Sequence, residues 1–190
     1  MRLFALLAAV FAASAAPGPE GPPVERGPVL APAGSPRLGG RVDGIECQRS
    51  EQVLFHIHAR LTVYVDGKPR RVPYGIGIGP PNEVQPTPRG GFVVGGSCFS
   101  WLHTHAADGV IHIESPVART FTLGDFFDVW GQPLSATRAG PARGHVSAFV
   151  NGKQWSGSVR AIPLRAHAQI QLDVGRPLVQ PVLISSWNGL

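Results

Sequence analysis

Between residues 55 and 65 the chain reads FHIHARLTVYV, and its apolar residues fall on every second position. Phe55, Ile57, Ala59, Leu61, Val63 and Val65 alternate with His56, His58, Arg60, Thr62 and Tyr64. A period of two belongs to an extended strand, which turns successive side chains to opposite faces. The segment is therefore read as a long strand with one apolar and one polar face. Asp66-Gly67 follows at once and suits a two-residue hairpin turn. The partner strand is expected to carry Arg71, Val72 and Pro73, and YGIGIG at 74–79 to continue it. Pro80 and Pro81 leave no helix start after these glycines, so a phosphate-binding loop is discounted.

The remaining sequence agrees with a sheet protein. Gly and Pro account for 24 and 19 of the 190 residues, and only 15% are charged. That balance predicts many turns, short strands and few long helices, within a length suited to one domain. Strands are expected at 91–94, 98–105 and 109–114, with Asp108-Gly109 as a turn and PPNEVQPTPRGG as a loop. Asn151-Gly152 marks a second hairpin, and Ile170, Leu172 and Val174 share one face of a later strand. The one expected helix lies in TFTLGDFFDVWG. Thr122 caps it with Asp125 three residues on, Phe126, Phe127 and Trp130 form its apolar stripe, and Gly131 and Pro133 stop it. The expected fold is mainly β: a single-domain β-sandwich or distorted β-barrel over 41–185, with one short helix covering an opening.

The N-terminus reads as a targeting signal. Arg2 precedes an apolar run from Leu3 to about Ala12, and Ala13-Ser14-Ala15 fits a cleavage pattern, giving a signal peptide over 1–15. The run is short for a membrane span, which needs about 20 apolar residues; the alternative is an uncleaved anchor. Residues 16–40 are Pro- and Gly-rich without apolar period and read as a disordered linker. An exported chain, periplasmic or extracellular, sits in an oxidising compartment. There Cys47 and Cys98 most simply pair as a disulfide, stabilising by roughly 3–4 kcal/mol through loop entropy. A thiolate ligand or nucleophile at Cys98 is the alternative. The net charge of +5 is spread along the chain with no basic run, so nucleic acid is not implied as a partner. No integral membrane span is expected, and a protein partner is not readable.

Five of the seven histidines fall into pairs of positions that share a strand face. His56 and His58 are two residues apart, as are His103 and His105, and His112 with Glu114. Three strands laid side by side, about 4.8 Å apart, bring five imidazoles and a carboxylate to one patch. Cys47 and Cys98, if bonded, hold the first two segments near each other. Phe99 and Trp101 share the parity of His103 and are expected to wall the site. Imidazole suits zinc, copper, iron or nickel, and six ligands exceed one tetrahedral zinc, so a subset or a two-metal arrangement is expected. The competing reading is a polar network that only organises the sheet. A metal-free acid–base pair of His112 and Glu114 is a third. No G-x-S-x-G motif offers a serine nucleophile.

Several blocks carry a resemblance. EQVLFHIHARLTVYVDGK, CFSWLHTHAADGVIHIESP, FTLGDFFDVWGQPL, FVNGK and IPLRAHAQIQLDVG together resemble an exported bacterial and archaeal family of unknown function, over roughly residues 44–175. In that family pattern a third histidine often stands at the position of Arg60, and an acidic residue at that of Ala106. The resemblance implies export and a shared site at the three pairs. The function expected from the residues is a secreted metal-binding domain for copper or zinc, acting as carrier, sensor or oxidoreductase. The alternatives are a cupin-like metal-dependent enzyme and a cell-envelope interaction module with structural histidines.

Overall fold

The computed structural model describes residues 26–187 and 189–190. The proposed signal peptide and the first part of the linker lie outside the described residues. The fold is mainly β, an open, sandwich-like arrangement of several sheets with one α-helix. Its centre is the strand Phe55–Val65. That strand pairs antiparallel with Val110–Ser115 along its first half and parallel with Gln169–Val174 along its second. Leu102–His103 extends the sheet beyond Val110–Ser115, and Val146–Val150 with Lys153–Gln154 extends it on the other side. Both expected hairpins form. Lys68–Arg70 folds back on Phe55–Val65 through Asp66-Gly67, and Lys153–Gln154 on Val146–Val150 through Asn151-Gly152. All four turn residues have positive φ, between 49° and 78°, as a turn of this hand requires.

One face of the sheet is dry. Ala59, Leu61, Val63, Ile111, Ile113, Ala148, Ile170, Leu172 and Val174 are all buried in one cluster. The helix Leu123–Trp130 joins that cluster through Leu123, Phe126, Phe127 and Trp130. It therefore forms a wall of the core, with its apolar stripe buried in that cluster. Its start is the capping box read from sequence: Asp125 N–H donates to Thr122 Oγ1, and Thr122 N–H to the Asp125 carboxylate. Gly131 ends it at φ 70°.

The opposite face is polar and divides in two. Toward the end of Phe55–Val65 it is covered by the C-terminal tail, which is held by side chains that imitate strand pairing. Gln169 accepts from Ile184 N–H and donates to its carbonyl, Gln171 donates to Val179 O, and Asp173 accepts from Val179 N–H. The other half of this face carries the histidines.

Three local expectations are corrected. YGIGIG is a turn, not a strand: Gly75 and Gly77 take φ of 80° and 71°, and the regular strand ends at Arg70. The expected loop at 80–91 contains a strand, Glu83–Thr87, paired with Gly90–Gly95; Pro86 is tolerated because Glu83–Thr87 is an edge strand of a two-stranded sheet. The linker is not free as far as residue 40. Leu30 and Ala31 are buried in the core, Leu30 N–H donates to Arg71 O, and Pro32 O accepts from Trp130 Nε1. A few apolar residues between the prolines suffice to anchor it.

Candidate metal centre

Strand register brings the site together. His56 stands across from Glu114, His58 across from His112, and His103 across from His112 on its other side. Directly opposed residues on one face lie within side-chain reach. His105 follows just beyond the strand end. Its backbone is pinned by Val93, whose N–H donates to His105 O at 2.9 Å. Between the two histidines, Thr104 points the other way into the protein. Its hydroxyl donates to Pro73 O and accepts from Ile76 N–H. The 75–79 turn lies flat on this strand, so closely that a Cβ on Gly77 would stand 2.2 Å from Leu102 O.

Four donor atoms close a ring. His56 Nε2 is 3.0 Å from His58 Nε2, which is 3.2 Å from His112 Nδ1. His112 Nδ1 is 3.4 Å from Glu114 Oε1, and that oxygen is 3.1 Å from His56 Nε2. Two ligands each about 2.0–2.1 Å from one ion, at angles of roughly 90–109°, stand about 2.9–3.4 Å apart. Every edge of the ring falls in that interval. The donor atoms of these four residues all lie within 4.8 Å of one another, and so do those of His103, His105, His112 and Glu114.

His103 and His105 show the preparation that metal ligands need. His103 Nδ1 donates to Ser100 O at 2.8 Å and His105 Nδ1 to Val93 O at 2.5 Å. A carbonyl only accepts, so each ring carries a proton on Nδ1 and turns its Nε2 toward the cluster, the atom that offers a lone pair to a metal when the ring is neutral. Those two Nε2 atoms are 3.0 Å apart. Phe92 stacks on the His105 ring at 5.0 Å, and Phe99 meets His103 edge-on at 5.8 Å.

Burial sets the protonation. It lowers His58 to about 4 and His103 to about 3, with neighbouring imidazoles adding to the effect. His112 is driven well below its ordinary value by the same causes. His105 is the exception. Burial pulls it down, but the Glu51 carboxylate and the Val93 carbonyl outweigh that and leave it raised. Glu51 is lowered in return by its hydrogen bond with His105. Glu114 is raised to about 7 by burial and by Glu51. Three imidazoles are thus held neutral, the form that binds a metal.

All six expected ligands meet here. Phe99 lines the cluster as expected, but Trp101 does not. The chain switches sheets at Trp101: Phe99–Ser100 pairs with Ile45–Gln48, and Leu102–His103 with Val110–Ser115. Parity is lost at that switch, and Trp101 packs on the core beside Phe121 with its Nε1 on Gln48. Arg60, next on the polar face after His58, turns its Nε to Asp108 O. Glu51 and Phe92 were not anticipated. Glu51 lies outside any strand, where periodicity says nothing; its place four residues after Cys47 was the one available signal. Cys47 and Cys98 are disulfide-bonded, which removes Cys98 as thiolate ligand or nucleophile.

No protein-family model, curated protein or solved structure matches this chain.

Proposed function

We propose that this chain is an exported β-domain that binds a transition-metal ion, copper or zinc, as a carrier or sensor. The observation that carries the reading is the ring of His56, His58, His112 and Glu114, with edges of 3.0–3.4 Å. Neutral imidazoles with one buried carboxylate suit borderline ions such as these better than the all-oxygen shells of magnesium or calcium. Four protein donors are the number that fills a tetrahedral shell. A complete shell suits holding and handing over an ion, whereas a catalytic site keeps a position open.

Export is supported by the N-terminal targeting pattern and by the disulfide. The sequence resemblance to an exported family over roughly 44–175 points the same way. Among the described residues no helix is long and apolar enough to cross a membrane. A second reading, a cupin-like metal-dependent enzyme or oxidoreductase, draws on His56. Its side chain is 40% exposed, and its release from the ring would open one position to solvent. A cell-envelope module with structural histidines is the reading that metal-independent behaviour would favour.

The test is thermal melting of metal-free protein, purified without a histidine tag, with and without an excess of Cu(II) or Zn(II). Binding at 100 times Kd adds about 2.7 kcal/mol. The expected result is a clear rise in Tm for one of the ions, reduced in His58→Gln and His112→Gln. An unchanged Tm with both ions, and no metal retained after desalting, contradicts the reading.

A further inference from the structure

We infer that the cluster holds two metal ions, with Glu51 completing the second position and Glu114 shared between both. The inference rests on the metal reading above and goes beyond it in ligand set and stoichiometry. The four-atom ring uses His56, His58, His112 and Glu114 and leaves His103 and His105 outside. These two still aim their Nε2 atoms at each other across 3.0 Å. Two lone pairs at that distance repel unless a cation or a proton lies between them. Their spacing again falls within the ligand–ligand interval of one ion.

A carboxylate stands at the same point. Glu51 Oε1 is 3.3 Å from His105 Nε2 and 4.0 Å from His103 Nε2. Glu114 reaches toward both positions. Its Oε1 is 3.1 Å from His56 Nε2 and 4.0 Å from His103 Nε2. Its Oε2 is buried without a hydrogen-bond partner. A buried carboxylate oxygen left unpaired is costly, and a cation on that side would satisfy it. Two-metal sites of carboxylate and imidazole ligands use such a shared group. The backbone carbonyls of Ser100 and Val93 fix His103 and His105 in the ligating tautomer, an outer layer of the kind that metal-bound histidines have.

Glu51 lies between two restrained points. Cys47, four residues before it, is disulfide-bonded to Cys98, and His56, five residues after it, begins the ligand strand. Its side chain is 37% exposed, so it closes the second position from the solvent side.

Counting bound metal decides the matter. Untagged full chain is loaded with excess Zn(II), and separately Cu(II), desalted, and assayed for metal by mass spectrometry against protein concentration. Two ions per chain are expected for the wild type. One is expected for Glu51→Gln, which is isosteric and sits in a half-exposed segment, and one for His58→Gln. One ion in the wild type overturns this inference and leaves the metal reading standing; none overturns both. Two ions in Glu51→Gln overturn the assignment of Glu51. The wild-type count decides between one ion and two even if a variant fails to fold.

Discussion

A histidine ring in water is protonated below about pH 6.5, and folding removes that option from His58 and His103. Their pKa values fall to about 4 and about 3 because burial penalises the charged ring. Between the unfolded and folded values the unfolded chain binds protons that the folded chain does not. Their contribution to stability is therefore present above about pH 6.5 and is lost as pH falls through the folded values. For His58 alone that gap corresponds to roughly 3 kcal/mol. Glu114 has the opposite sign. Raised to about 7 by burial, it stays protonated in the fold where the unfolded chain has ionised, so its contribution is present below about pH 4.5 and lost as pH rises through 7. Denaturant titrations of metal-free protein are expected to show stability falling from pH 6.5 to 4. Glu114→Gln is expected to raise Tm at pH 8 without metal and to cut the gain that metal supplies. A flat profile over pH 4–6.5, or a Glu114→Gln variant that melts lower at pH 8, contradicts this assignment of charges.

The segment carrying His103 and His105 pairs as a strand only over Leu102–His103. It borrows support from Thr104, Ser100 and the 75–79 turn. Thr104→Val keeps the shape but leaves Ile76 N–H without a partner in a buried place. A loss of about 1–3 kcal/mol is expected in urea unfolding, together with weaker metal binding. Gly77→Ala is expected to be worse, since its Cβ would meet Leu102 O at 2.2 Å and its φ is 71°. Stability within a few tenths of a kcal/mol of wild type in either variant would show that the turn does not brace this segment. Element by element, the sequence was legible wherever one strand stayed in one sheet. Period two placed His56, His58, His112 and Glu114 on one face because Phe55–Val65 and Val110–Ser115 are regular neighbours. It misplaced Trp101, where the chain passes between sheets, and it missed the strand Glu83–Thr87, which sits among prolines that read as loop. The helix was legible from Thr122 to Gly131 because its caps are local chemistry.

Across the whole molecule, one strand sets the site's position. Phe55–Val65 buries alternate residues in the core and turns the others to the polar face. The tail covers one end of that polar face and leaves the other to the imidazoles. The disulfide joins the strand next to Glu51 with the segment leading to His103, closing a separation of 51 residues. Replacing both cysteines by serine is expected to cost about 3–4 kcal/mol and to lower metal affinity. Unchanged affinity in a folded double variant would show that the sheet alone places the ligands. Spacing alone gave which residues pair on a face. That His58 and His103 flank His112 depends on register, which a single sequence does not fix, and Glu51 depends on a segment with no period at all.

Whether these imidazoles are ligands is read from X-ray absorption at the metal edge. Protein loaded with Zn(II) or Cu(II) is expected to show a nitrogen and oxygen shell at about 2.0–2.1 Å, outer-shell scattering from several imidazoles and no sulfur. A shell of water oxygens without imidazole scattering, or no metal retained for measurement, would contradict imidazole ligation.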